Sequence, residues 1–140
     1  MEINFSGLDA VMQNIARMAI EEDTERKALI KAAKVVKDAI SEEAPVDKRS
    51  GEDSATLKNN IKSSRPVDGE VKIHTGQAYH AHLVEFGRSA GSAVAKKKGK
   101  EQKVTWGATA ANPFFTRGFE GSKDTAMLEM AEVIKRDLKL

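Results

Sequence analysis

The chain has 140 residues, which suffices for one domain and is too short for two ordinary ones. Apolar residues make up 40% and aromatic residues 5% of it, so aliphatic side chains must build most of the core, and the net charge of +2 does not by itself predict nucleic-acid binding. The absence of cysteine excludes disulfides, thiolate chemistry and Cys-ligated zinc, and the sequence predicts neither a membrane span nor a signal peptide.

The N-terminal third predicts two helices. Spacings of three and four place a first apolar stripe on one helix face, at Leu8, Val11, Met12, Ile15, Met18 and Ala19. A polar stretch up to Thr24 either interrupts this helix or forms a solvated turn of it, and Thr24 could cap the next helix. The second stripe consists of Leu29, Ala32, Ala33, Val36, Ala39 and Ile40. Pro45 ends this helix, because the residue before a proline is biased away from helical geometry.

A β-hairpin is predicted in the middle of the chain, after a polar loop and a stretch up to Ile61 that is either a short helix or extended. Asp68-Gly69 is a two-residue turn signal because both positions favour positive φ. Val71 and Ile73 alternate with polar residues, which predicts one buried face. Pro66 indicates an edge position for the first strand of the hairpin.

The sequence after this hairpin predicts a mixture of extended and helical elements. Residues 79–87 fit either a strand or a short helix, whereas residues 88–103 have almost no apolar anchor and predict a mobile loop. A short strand is expected at 103–106. A C-terminal helix carries Phe115, Phe119, Met127, Met130, Ile134 and Leu138, and Gly118 and Gly121 are expected to delay its regular part until about Ser122 or Asp124.

These elements predict the α+β class, in a single domain spanning residues 1–140. A small antiparallel β-sheet containing a β-hairpin is expected to pack against N-terminal and C-terminal α-helices.

Positive charge is concentrated in the predicted loop at about residues 88–103. Its basic residues are Arg88, Lys96, Lys97, Lys98, Lys100 and Lys103. With Glu101 the segment carries +5, so the rest of the chain sums to −3 against the overall +2. Three interpretations remain open: an assembly arm that orders on a partner, a solvated insertion without a role, and a contact to nucleic-acid phosphates. No aromatic residue lies among the lysines, which weakens an interpretation based on stacking with single strands.

Motifs for catalysis or metal binding are weak. His80 and His82 would share a side of a strand and, with Glu85 or His74, would suggest a metal-dependent enzyme, but a pair without a fixed third ligand is more often structural. The chain has no nucleophile-elbow, HExxH or Walker-type pattern. We therefore expect no enzyme, no cofactor and no metal site.

Three blocks of sequence occur in an order typical of one family. A helix ends in Glu43-Ala44-Pro45-Val46, with Gly51, Leu57 and Ile61 after it. The second block is residues 79–87, Tyr-His-Ala-His-Leu-Val-Glu-Phe-Gly, and the third is residues 112–119, Asn-Pro-Phe-Phe-Thr-Arg-Gly-Phe. Together they resemble the head–tail joining and tail-completion proteins (minor tail and connector proteins) of long-tailed bacteriophages and prophages. The chain departs from that pattern by an insertion at 48–54 and by its long lysine-rich stretch.

The resemblance implies a structural virion-assembly protein that completes the tail or joins the tail to the head. Its partners would be other tail or connector proteins, and it would form a homo-oligomeric ring when assembled or stay a monomer until it docks. It would occupy the host cytoplasm during assembly, and afterwards the head–tail junction or the tail.

The expected assembly interface consists of Tyr79, Glu85, Phe86, Gly87, Trp106, Pro113 and Phe114. Glu85 is expected to tie a strand end to a basic residue, Gly87 to allow the turn into the basic loop, and Phe115 and Phe119 to pack on the sheet. The alternative from another class is a small DNA-binding module that uses the lysine-rich loop.

Overall fold

The computed structural model describes residues 1–5, 22–46 and 57–139. In these ranges the chain forms, in order, β1 (Glu2–Phe5), α1 (Glu22–Glu43), a 3-10 turn (Lys58–Asn60), β2 (Lys62–Ser63), β3 (Val71–His74), α2 (Ala81–Phe86), β4 (Gly91–Lys97), β5 (Lys100–Trp106) and α3 (Phe114–Asp137). The α+β class is confirmed. The predicted first helix, with its stripe from Leu8 to Ala19, lies outside the described residues.

Helix α1 follows the predicted periodicity. Its buried side chains include Leu29, Val36 and Ile40, and it ends at Glu43, one residue before the Ala44-Pro45 step. Thr24 does not cap it: this residue lies inside the helix and its Oγ1 donates to Asp137 Oδ2 at 3.0 Å.

Helices α1 and α3 pack antiparallel and form the core of the domain. Arg117 Nε lies 2.7 Å from Glu43 Oε2 at one end of the pair, and the Thr24–Asp137 hydrogen bond closes the other end. At Gly118 a Cβ would lie 2.5 Å from the Cα of Ile40, so glycine permits the closest approach of the two backbones.

The expectation that glycines delay α3 is therefore wrong. The helix begins at Phe114. Position 118 requires glycine because a side chain there would meet the backbone of α1, and not because its own backbone needs unusual freedom. Phe115 is buried and Phe119 packs against the core as a partly buried side chain, but their helix packs mainly on α1 and not on the sheet as expected, and Met127 is 43% exposed.

The three-stranded sheet has the order β1–β3–β2, with antiparallel pairing throughout. Asp68 and Gly69 have φ of 51° and 75°, and Val67 and Glu70 exchange two backbone hydrogen bonds, so the predicted hairpin turn is confirmed. Val71 and Ile73 are buried in the core against the helices, and β2 lies at the sheet edge, as Pro66 indicated. Strand β1 was not predicted: it pairs in the register Ile3↔Ile73.

The structure settles one open prediction and contradicts another. Residues 79–87, left open between strand and helix, contain α2. The basic segment, expected as a loop, is a regular hairpin in which Gly91 pairs with Trp106 and Lys97 with Lys100. The loop prediction assumed that ordering requires buried apolar surface, but cross-strand hydrogen bonds satisfy this backbone, and Lys98 and Gly99 (φ 53° and 77°) supply the tight turn.

Candidate assembly surface

Glu85 joins α2 to the first turn of α3. Its side chain is 2% exposed, and its carboxylate accepts hydrogen bonds from Phe115 N at 2.9 Å, Thr116 N at 3.2 Å and Thr116 Oγ1 at 2.6 Å. A carboxylate here satisfies backbone donors that have no partner within the helix and lies at the positive end of the helix dipole. Glu85 thus binds a helix terminus instead of the expected basic residue, and its burial removes it from the exposed surface.

Gly87 allows the chain to turn from α2 towards the basic hairpin. Its φ is +71°, and a Cβ would lie 2.6 Å from Thr109 O and 2.8 Å from Ala111 N. The next residue, Arg88, exchanges two backbone hydrogen bonds with Thr109, at 3.0 and 2.9 Å. The close approach of these two backbone segments requires glycine, as expected for a turn at this position.

Trp106 fixes the root of the hairpin β4–β5. Its ring lies over Gly91, where a Cβ would come within 2.9 Å of Cζ2, and Nε1 donates to Ser89 O at 3.2 Å. The guanidinium carbon of Arg88 lies 5.9 Å from the ring centroid, within cation–π range. Trp106 is therefore half-buried by its own hairpin, with part of the indole open to solvent.

Beyond this root the hairpin projects from the body. All residues from Ser92 to Thr105 are exposed, and no helix or other strand packs substantially on β4 or β5 within the described residues. Lysines occupy the distal half: Lys97 pairs with Lys100 across the strands, and Lys98 lies in the turn between them. Lys96 pairs with Glu101, and Lys103 with Val94.

Two exposed aromatic side chains lie at the two ends of α2. Tyr79 is 85% exposed just before the helix, and Phe86, its last residue, is 73% exposed. Pro113 is exposed as well, whereas Phe114 is 0% exposed and stacks edge-on against Phe115 with ring centroids 6.1 Å apart. Phe114 belongs to the core, because the start of α3 turns it inward.

The histidines do not form a cluster. His80 precedes α2 and stacks edge-on with Tyr79, with ring centroids 5.6 Å apart, while His82 is exposed within the helix. His74 Nδ1 accepts a hydrogen bond from Gly76 N at 3.1 Å. Across the described ranges, no three His, Cys, Asp or Glu side chains come together as metal ligands would, and none of the described helices is long and apolar enough to cross a bilayer.

The fold and this surface define a small α+β domain that presents an exposed aromatic pair and a projecting basic hairpin. The chain belongs to the HK97-gp10-like family, described as "Bacteriophage HK97-gp10, putative tail-component", whose model matches residues 7–87. This match covers more than half of the chain and confirms the resemblance to phage tail proteins. It ends at Gly87, so the hairpin and α3 lie beyond it. Neither a curated protein nor a solved structure matches the chain.

Proposed function

We propose that this tail-component protein completes the phage tail or joins the tail to the head, as a non-enzymatic subunit of a ring. The observation that carries the proposal is the family match over residues 7–87. The order of the three sequence blocks noted above, which extends to the Pro-Phe block at 112–119, supports the finer assignment. The protein acts in the host cytoplasm during assembly and resides afterwards at the head–tail junction or in the tail.

The exposed aromatic pair supports a docking role for the body. Tyr79 and Phe86 place large apolar surfaces in water, and exposed aromatic anchors are the side chains that most often dominate protein interfaces. A ring requires a heterologous contact, in which one patch of a subunit meets a different patch of the next subunit. Tyr79, Phe86, Trp106 and Pro113 are the candidate contact residues that remain exposed or partly exposed.

Electron microscopy of lysates from an induced prophage with this gene deleted tests the proposal. We expect filled heads and separate tails, and intact virions after the gene is restored. Complementation with Tyr79→Ala/Phe86→Ala should fail, whereas Ile30→Ala/Leu128→Ala, which removes two exposed apolar side chains elsewhere, should succeed. Intact virions from the deletion strain would contradict the joining and completion role.

A second candidate is the DNA-binding module suggested by the lysine-rich segment. The observation that favours it is the concentration of lysines at the tip of an exposed hairpin. As a complete function it predicts normal virions from the deletion strain, which separates it from the assembly role.

A further inference from the structure

The hairpin β4–β5 lies outside the matched family range, so its role must follow from its own chemistry. Its five lysines and one glutamate give it a net charge of +4 over residues 91–106. Lys97 and Lys100 lie directly opposite each other, an arrangement that destabilises a free hairpin because like charges repel. Such a tip gains most from a ligand of high negative charge density.

The body of the chain does not supply that negative charge. Within the described residues none of the hairpin lysines takes part in an ion pair, and many acidic side chains of the body already face basic neighbours. Examples are Glu43 with Arg117 at 2.7 Å and Asp23 with Lys27 at 3.1 Å. A second copy of the chain carries a net charge of −2 outside residues 91–106, which is a weaker electrostatic complement to the tip than a polyanion.

We propose that the tip of hairpin β4–β5 binds duplex DNA through its phosphates, independently of base sequence. Duplex DNA carries about one negative charge per 1.7 Å of its axis. Lysine contributes a point charge suited to phosphate contacts. Residues 92–105 contain no arginine, the side chain that recognises guanine with two hydrogen bonds, so sequence-specific contacts are not expected. The same range lacks aromatic side chains, which a site for single strands would use to stack bases.

The geometry of the hairpin suits a groove. Seven residues per strand at about 3.3 Å each give an arm about 23 Å long. This exceeds the roughly 8.5 Å depth of the major groove of DNA. The major groove is also wide enough for a two-stranded ribbon. Strand alternation places Lys97 and Lys100 on one face and Lys96 and Lys103 on the other, with Lys98 in the turn. Positive charge therefore faces both walls of a groove, while the Trp106 root holds the arm away from the body.

The test measures binding of the purified full chain to a fluorescent duplex of random sequence, by anisotropy between 50 and 200 mM salt. If about four to five lysines each neutralise a phosphate, the slope of log K against log salt is about −4, and binding weakens about 250-fold over that range. Lys97→Gln/Lys100→Gln should reduce the slope to about −2, so that the same change of salt weakens binding only about 20-fold.

Two further variants make the result specific. Lys96→Gln/Lys103→Gln, on the opposite face, should reduce the slope equally and provides an independent answer if the first variant disturbs the hairpin. Lys58→Gln/Lys62→Gln removes the same charge from exposed positions of the body and should bind like the unmodified chain.

Other outcomes would overturn the proposal. These are no duplex binding at 50 mM salt, an equal loss in the Lys58/Lys62 control, or tighter binding to single-stranded DNA. Equally tight binding to polyglutamate, with the same dependence on the hairpin lysines, would reassign the arm to an acidic protein surface. The assay uses the isolated chain, so its outcome is independent of the tail-assembly role.

Discussion

Replacing Glu85 with alanine tests whether α2 holds the start of α3. The substitution removes three hydrogen bonds to the carboxylate and leaves the N–H of Phe115, in the buried part of the contact, without its acceptor. A buried donor without a partner costs about 1–3 kcal/mol, and loss of the negative charge at the N-terminus of α3 costs up to about 2 kcal/mol in a buried geometry. Thr116 is exposed and can turn to water, so we count its bonds as replaced. The expected loss in the free energy of unfolding is about 3 kcal/mol.

Urea denaturation followed by far-ultraviolet circular dichroism measures this loss. For a domain of this size it corresponds to a fall in Tm of roughly 10 °C. Glu132→Ala is the matched control, because Glu132 is an exposed glutamate of α3, and it should change the free energy by less than about 0.5 kcal/mol. A double-mutant cycle with Thr116→Val should give a coupling below about 0.5 kcal/mol, because water can replace the bonds of the exposed Thr116. If Glu85→Ala cost no more than Glu132→Ala, the capping role would be refuted.

Four other substitutions test the packing of α3 and the order of the hairpin β4–β5. Gly118→Ala should destabilise the domain by about 2 kcal/mol, because its Cβ meets the α1 backbone. Gly121→Ala, whose Cβ would have nothing within 4 Å, should stabilise the domain by up to about 1 kcal/mol. Thermal unfolding of the two variants measures both effects. Lys98→Asn should slow amide exchange in residues 91–106, because asparagine tolerates positive φ better than lysine. Trp106→Ala should speed that exchange without lowering the Tm of the body, and a lower Tm would contradict an independent hairpin.

Local signals predicted the elements that depend on neighbouring residues. The stripe from Leu29 to Ile40 and the Ala44-Pro45 step are sufficient for α1, because periodicity and the proline act within one helix. Asp68-Gly69 predicted its turn because both positions require positive φ. The signals for these features lie within a few neighbouring residues, so a single sequence suffices to predict them.

Features that depend on distant residues were missed or misjudged. Strand β1 exists through pairing with β3, about 70 positions later in the chain, and its four residues carry too short an alternation to be recognised alone. From the sequence alone, Gly118 is expected to interrupt the helix. Its role in packing is evident only from the close approach of Ile40. Glu85 was expected to meet a basic residue, and its actual partner, the first turn of α3, lies about 30 positions later in the chain. None of these positions carries a local signal of its partner.

At the candidate surface, the sequence predicted where the charge lies but not how the charged residues are arranged. The lysine cluster was evident from the sequence, but its arrangement was not, because the loop prediction judged order by burial alone. One signal pointed to the hairpin: Lys98-Gly99 lies midway between Gly91 and Trp106, as a two-residue turn between equal strands requires. The aromatic exposure at Tyr79 and Phe86 depends on how α2 meets the body and could not be read from residue type.

The free hairpin carries two unfavourable features that the same ligand would offset. Opposed Lys97 and Lys100 repel each other, and Lys98 adopts a left-handed conformation that costs a non-glycine residue about 1 kcal/mol. Neither feature is offset by burial, because the whole distal half is exposed. An anion placed between the lysines would replace repulsion by attraction while the turn keeps them converged. Binding of a polyanion, as proposed above, would therefore offset both unfavourable features of the free hairpin tip.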